Sequence, residues 1–233
     1  MKFLLCVGAE KAGTTWLYEY FRNHPEYHDI GKELNIIQRD DLVPCLEDVE
    51  DYRKDIQTFF QKVSSINQVT GDFTHYEGSS ENVFRLIKNG LLKYDIEVIP
   101  VYIMRDPTSR AQSAWNMLGS GSSKMSRAAK LVMTSHLACK YKETVQALDN
   151  VFAKPLYFFY EDFFKQSNID KICDALEISR VDADIETIIN LGPKRKLSNR
   201  FVKDFGKSKK NKEAVQYIIE RFDHVPWKLE DYS

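Results

Sequence analysis

Apolar residues fall along this chain as short runs separated by spaced sets, the pattern of strands alternating with helices. Residues 2–7 form an apolar run that meets a glycine-containing turn from Gly8 to Gly13. From Thr14, residues Trp16, Leu17, Tyr20 and Phe21 recur at helical spacing. That helix ends at Asn23-His24-Pro25, where the proline disfavours helix in the residue before it. Residues 29–51 read as irregular and acidic around Gly31-Lys32-Glu33, 52–64 as a helix and Gln68–Phe73 as a short strand. Residues 80–93 predict an amphipathic helix with Val83, Leu86, Ile87 and Leu91 on one face.

The clearest strand is Glu97 to Met104, whose β-branched and aromatic character suits a parallel strand covered on both faces. It stops abruptly at Arg105-Asp106-Pro107, and a helix from about Thr108 carries Arg110, Ser113 and Trp115. Residues 118–127, rich in Gly and Ser, read as a surface loop and 128–149 as a helix. Pro155–Tyr160 reads as a further buried strand, followed by Glu161-Asp162-Phe163, and 168–177 as another helix. The basic stretch Lys194-Arg195-Lys196 precedes a last helix at about 212–222. With no internal repeat and no long linker, the prediction is one α/β domain over residues 1–233. It has three layers, a central and mostly parallel sheet flanked by helices.

Composition narrows the partners. The 233 residues carry 33 Lys and Arg against 34 Asp and Glu, a formal charge of −1. That balance provides no broad basic field, so nucleic acid and other bulk polyanions are not expected partners. With 43% hydrophobic and 29% charged residues the chain is an ordinary globular one, not a disordered one. Cys6, Cys45, Cys139 and Cys173 show no C-x-x-C spacing and read as reduced, mostly buried thiols. Glu10 and Lys11 interrupt the first apolar run too early for a signal peptide, and no stretch approaches the roughly 18 apolar residues of a membrane span. A soluble cytoplasmic protein is expected, with no membrane partner.

The chemistry starts at Gly8-Ala9-Glu10-Lys11-Ala12-Gly13-Thr14-Thr15-Trp16. Its glycine spacing matches the G-x-x-x-x-G-K-[ST] phosphate loop, with Thr14 in place of the lysine. That lysine reaches the β- and γ-phosphates in nucleoside triphosphatases, so its loss argues against such an activity. The amides of residues 12–16 still suit a phosphate at a helix N-terminus, and Lys11 supplies a cation from within the loop. The arrangement suits a single 5′-phosphate carrying a transferable group.

The segment Glu10 to Leu17 also resembles the K-x-G-T-T-W-L loop of sulfotransferases. The resemblance implies a P-loop-like fold and the donor 3′-phosphoadenosine 5′-phosphosulfate, with adenosine 3′,5′-bisphosphate as product. Lys11, Ala12, Gly13, Thr14, Thr15 and Trp16 would hold the 5′-phosphosulfate. A second element follows in order: Tyr102 to Pro107 with Arg110 and Ser113 resembles the family segment that binds the donor's 3′-phosphate, with Arg105 and Ser113 as its ligands. An arginine at a strand's carboxyl end is independently suited to a phosphate, because its planar fork offers paired donors. The Lys194-Arg195-Lys196 stretch resembles the R-K-G segment that covers the same phosphate, with Leu197 where the glycine stands; Arg195 and Lys196 are candidates there.

On the acceptor side, Lys32-Glu33 resembles the K-E pair of carbohydrate-type members, in which the Glu is the catalytic base. Gly71-Asp72-Phe73-Thr74 resembles the strand leading to that site, with His75 where related enzymes often carry proline. Glu33, His75 and His28 are therefore alternative bases, and no metal is expected. Tyr27, Tyr76 and Trp115 are candidate walls of an acceptor cleft, and residues 119–123 a candidate lid. The implied reaction moves a sulfuryl group to a hydroxyl or amine of a carbohydrate or small molecule. The alternatives are a phosphoryl-transfer enzyme with a degenerate loop, or a non-catalytic nucleotide-binding module. The resemblance spans residues 2–163 and thins afterwards. Thr144-Val145 resembles a dimerisation motif in spacing only, and the oligomeric state is not read.

Overall fold

Among the described residues four parallel strands carry the fold, in the order β2-β1-β3-β4. They are β1 Lys2–Gly8, β2 Thr70–Asp72, β3 Glu97–Met104 and β4 Leu156–Phe159. The structure, a computed structural model, describes residues 1–34, 49–118, 140–186 and 208–232. In β1 and β3 every residue from Phe3 to Val7 and from Val98 to Met104 is buried. Successive strand residues face opposite sides, so burial of the whole run means that both faces of the sheet are covered. The β1–β3 register runs from Lys2↔Glu97 to Gly8↔Tyr102 with one shift between Cys6 and Gly8, where β1 turns into the glycine loop.

The helices are α1 Thr14–Arg22, α2 Val49–Ser64, α3 Glu81–Leu92 and α4 Pro107–Leu118. They continue with α5 Tyr141–Val151, α6 Tyr160–Phe163, α7 Gln166–Leu176 and α8 Lys209–Arg221. A 3₁₀ turn, Leu229–Tyr232, follows. The predicted three-layer α/β architecture is observed. Pro107 opens α4 at a position needing no amide donor, while Asp106 Oδ1 caps it by accepting the Ser109 amide at 2.7 Å.

Three expectations change in detail. Leu86 does not lie on the buried face of α3: it is 38% exposed. The buried stripe is Val83, Phe84, Ile87, Gly90 and Leu91. At about 100° per residue, Leu86 lies roughly 100° from the centre of that stripe. Gly90 belongs to it because a Cβ there would stand 2.0 Å from Phe60 Cε2, so the α2 ring sits directly on the α3 backbone. The last predicted strand stops one residue early, and Tyr160 opens the single turn α6 instead. Of the helix expected over 128–149, the described part starts at Tyr141; residues 128–139 lie outside the described residues.

Candidate active site

Open α/β sheets bind ligands beyond the carboxyl ends of their strands. Here the glycine loop follows β1, residues 73–77 follow β2 and Arg105 follows β3. The loop is tied to the sheet by the Ala9 amide donating to the Ile103 carbonyl at 2.7 Å, and to itself by Ala12 amide to Ala9 carbonyl at 3.1 Å. Gly13 has φ +87°, and a Cβ there would stand 3.0 Å from Phe164 Cζ, so the bend requires glycine. The first helical bond of α1 runs from the Leu17 amide to the Gly13 carbonyl. The amides of Thr14, Thr15 and Trp16 therefore precede the ladder and open toward an anion at the helix N-terminus. The Trp16 indole points the other way: its Nε1 donates to the Asp184 carbonyl at 3.1 Å, and its ring packs edge-on against Phe163 and Phe164. Trp16 offers this site its main chain alone.

Two arginines grip consecutive loop carbonyls. Arg105 Nη1 donates to the Lys11 carbonyl at 2.8 Å, and Arg110 Nε donates to the Glu10 carbonyl at 2.8 Å. Their surroundings differ. Arg110 is locked in a bidentate pair with Glu77, Nη1 to Oε1 at 2.6 Å and Nη2 to Oε2, with side chains 1% and 4% exposed. Tyr102 donates its hydroxyl to the same Glu77 Oε1 at 3.0 Å. Arg110 is thus neutralised behind the loop. Arg105 instead lies over the Tyr160 ring, 4.0 Å from its centroid, and its Nε is buried without a hydrogen-bond partner. A buried, unpartnered guanidinium donor is a costly feature that an anionic ligand would satisfy. Ser113 lies in α4 one turn beyond Arg110. This donor set fits a phosphate-like anion.

Charge concentrates at Lys11. Burial lowers its pKa from 10.5, and the nearby positive charges of Arg105 and Lys32 lower it further, against Glu10. Three cations drawn to one place favour a multiply charged anion.

The acceptor side is built around Asp72. Its Oδ1 accepts the Thr74 amide at 2.9 Å, the Thr74 hydroxyl at 2.6 Å and the Leu34 amide at 3.2 Å; its Oδ2 accepts the Tyr76 hydroxyl at 2.6 Å. The Phe73 amide also donates to the Lys32 carbonyl at 2.9 Å. Burial raises the Asp72 pKa, and the four donors oppose that rise. These bonds sew residues 32–34 to residues 73–76 and so bring two of the alternative bases together. His75 Nε2 stands 3.9 Å from Glu33 Oε1, which also takes a 2.9 Å ion pair from Lys32 Nζ. Lys32 holds the Glu33 pKa below 4.5, while burial holds that of His75 below 6.5. His28 is elsewhere: its amide donates to the Val69 carbonyl at the opposite end of β2.

Tyr76 and Tyr27 are not cleft walls. Both are buried, Tyr76 spent on Asp72 and Tyr27 packed against Phe21. The Trp115 side chain, residues 119–123, Arg195 and Lys196 lie outside the described residues. Reading the sequence missed Glu77, Tyr141 and Tyr160. For Glu77 there was no local signal, since its partner is 33 residues away. Asp72 did carry one, within the Gly71-Asp72-Phe73-Thr74 segment at the end of a short strand. Among the described residues, no group of three or more His, Cys, Asp or Glu is placed to hold a metal, and no helix is long and apolar enough to cross a membrane.

Comparison with known proteins gives the family and the fold. A family model described as a sulfotransferase domain matches residues 2–218. A search of curated protein sequences finds no match. Among solved structures, a sulfotransferase from Alicyclobacillus acidocaldarius is similar with a TM-score of 0.61 at 15% identity, over 94% of this chain and 96% of that one. The sulfotransferase domain of the Synechococcus PCC 7002 olefin synthase is similar with a TM-score of 0.56 at 13% identity, over 100% and 92%. A sulfotransferase domain from the curacin biosynthetic pathway gives 0.52 at 12% identity, over 100% and 94%. At such identities the structures speak for the fold, and the family match speaks for the kinship. A glycine loop with its lysine displaced to position 11, an arginine at the end of β3 and a match over nearly the whole chain lead to one statement: this chain belongs to the sulfotransferase family.

Proposed function

We propose that this sulfotransferase uses residues 1–233 as one catalytic domain and takes its sulfuryl group from 3′-phosphoadenosine 5′-phosphosulfate, the donor of the family. The observation that carries the reading is the buried, unpartnered Nε of Arg105 beside a glycine loop whose cation is Lys11. In this reading the amides of Ala12, Gly13, Thr14, Thr15 and Trp16 hold the 5′-phosphate, while Arg105 and Ser113 hold the 3′-phosphate, with Arg195 and Lys196 as further contacts. When bound, the donor supplies an activated sulfuryl group whose leaving oxygen gains negative charge. The Lys11 ammonium opposes that charge, an electrostatic role that needs no movement of the loop. The Glu33–His75 pair receives the proton of the acceptor, a hydroxyl or amine of a carbohydrate or small molecule.

The donor reading is tested by thermal unfolding. Adenosine 3′,5′-bisphosphate at about 100 times its dissociation constant adds about 2.7 kcal/mol. For a chain of this length that is a rise of roughly 5–10 °C, without metal. Arg105→Ala should abolish most of it. A rise only with ATP and Mg²⁺ would transfer the chain to phosphoryl transfer, and a rise with no turnover of any acceptor would make it a binding module.

The base is read from the pH profile of kcat/KM. With His75 as acceptor of the proton, the rate falls as pH drops through a pKa below the ordinary 6.5, because burial disfavours the imidazolium. With Glu33, the acid limb lies below 4.5, because Lys32 favours the carboxylate. On the alkaline side the rate falls before pH 10.5, as Lys11 loses its proton early. His75→Gln removes the first limb and leaves the last. A profile unchanged in both His75→Gln and Glu33→Gln places the base elsewhere.

A further inference from the structure

The sulfotransferase match ends at residue 218, yet the stretch beyond it reaches the turn that joins β3 to α4. Phe222 and Trp227 pack edge-on against Phe159 of the outer strand β4, with ring centroids 5.8 and 5.2 Å away. Trp227 also stacks on Tyr141, 5.8 Å away and 22° from parallel. The Tyr141 hydroxyl accepts the Arg105 amide at 3.2 Å and donates to the Arg105 carbonyl at 2.6 Å. One residue on, the Glu161 carboxylate bridges two donors, accepting the Asp106 amide at 2.9 Å on Oε1 and Trp227 Nε1 at 3.1 Å on Oε2. Tyr232 completes the set by donating its hydroxyl to Asp106 Oδ2. Trp227 and Tyr232 are 6% and 2% exposed, so both donors are shielded from water, while the Glu161 carboxylate they share the turn with is itself exposed.

We propose that the segment Phe222–Tyr232 is a positioning strap for the donor's 3′-phosphate subsite. Trp227 and Tyr232 act through Tyr141, Glu161 and Asp106 to fix the main chain at 105 and 106. Arg105 is presented from that turn and Ser113 from the helix α4 that follows it, and a misplacement of about 1 Å is enough to spoil a paired phosphate contact. The proposal rests on the reading of Arg105 and Ser113 as the 3′-phosphate ligands.

The test compares two nucleotides that differ only in that phosphate, adenosine 3′,5′-bisphosphate and adenosine 5′-phosphate, by calorimetric titration. Trp227→Phe combined with Tyr232→Phe keeps an aromatic ring at each position, the indole giving way to a smaller phenyl, and removes both donors. The unchanged chain should prefer the bisphosphate. The double variant, still folded at the titration temperature, should bind the bisphosphate roughly tenfold more weakly and the monophosphate as before. Tyr232→Phe alone, the milder change, carries the same comparison should the double variant not fold. Equal loss of both nucleotides, or no loss of either, overturns the strap. If the unchanged chain binds both alike, the 3′-phosphate reading itself fails and the strap falls with it.

Discussion

Lys11→Ala is expected to lower kcat about 10²–10³-fold, the cost of removing one preorganised charge from a developing oxyanion. The loop should survive the change. Its shape rests on the Gly13 bend, the Ala9 and Ala12 amide bonds and the two arginine grips on the carbonyls of residues 10 and 11. None of these uses the Lys11 side chain, so the melting temperature should move by only ~2 °C. Binding of adenosine 3′,5′-bisphosphate should weaken less than turnover, because main-chain amides share the 5′-phosphate. Single-turnover kinetics with labelled donor measure the effect. Lys11→Arg should rescue poorly, since a planar guanidinium does not replace a compact ammonium at a crowded loop. A kcat within tenfold of the unchanged chain would remove Lys11 from the chemistry.

Glu77→Gln should produce the largest loss of stability of any conservative change in the site. It leaves the Arg110 guanidinium charged and 1% exposed without the carboxylate of Glu77. Breaking a buried pair in this way costs about 3–5 kcal/mol. For this chain length that is a fall of roughly 6–20 °C in melting temperature. Glu77→Leu combined with Arg110→Met removes both charges and should recover most of that loss, because desolvating the pair was itself costly. It does not restore the tether from Arg110 to the Glu10 carbonyl, so the recovered fold should still bind the bisphosphate poorly. Circular dichroism melts of the three proteins decide the matter. A Glu77→Gln melt within about 2 °C of the unchanged chain would mean that the pair contributes nothing.

What could be read beforehand follows the reach of each interaction along the chain. β3 was legible because Val98 to Met104 is buried on both faces, and such a run looks apolar throughout. The loop was legible because Gly13 and the helix it opens are neighbours in sequence, so local geometry leaves a local mark. Glu33 and His75 were legible only as rivals. Their meeting depends on Asp72, whose bonds to Leu34 and Tyr76 form once β2 and the preceding loop are in place. Leu86 misled because a helix face is defined by what packs on it, and here the buried stripe is centred near Ile87, with Phe60 seated on Gly90 at its edge and Leu86 just beyond. Trp227 and Tyr232 follow no periodicity at all; their partners lie 66 and 126 residues away.

The order β2-β1-β3-β4 also bears on how the protein is made. The strand Lys2–Gly8 is central, yet Lys2 pairs with Glu97, and 97 − 2 leaves 95 residues to be synthesised before that neighbour exists. At 5–20 residues per second the ribosome takes roughly 5–20 s to supply it. Until Thr70–Asp72 is made, Phe3-Leu4-Leu5-Cys6-Val7 is an apolar, uncharged segment with both edges unpaired, and until Glu97–Met104 follows one of those edges stays open. Such a segment invites pairing with other nascent chains, and holding chaperones engage surfaces of this kind. The strand that later carries the phosphate loop is therefore the one most in need of protection during synthesis.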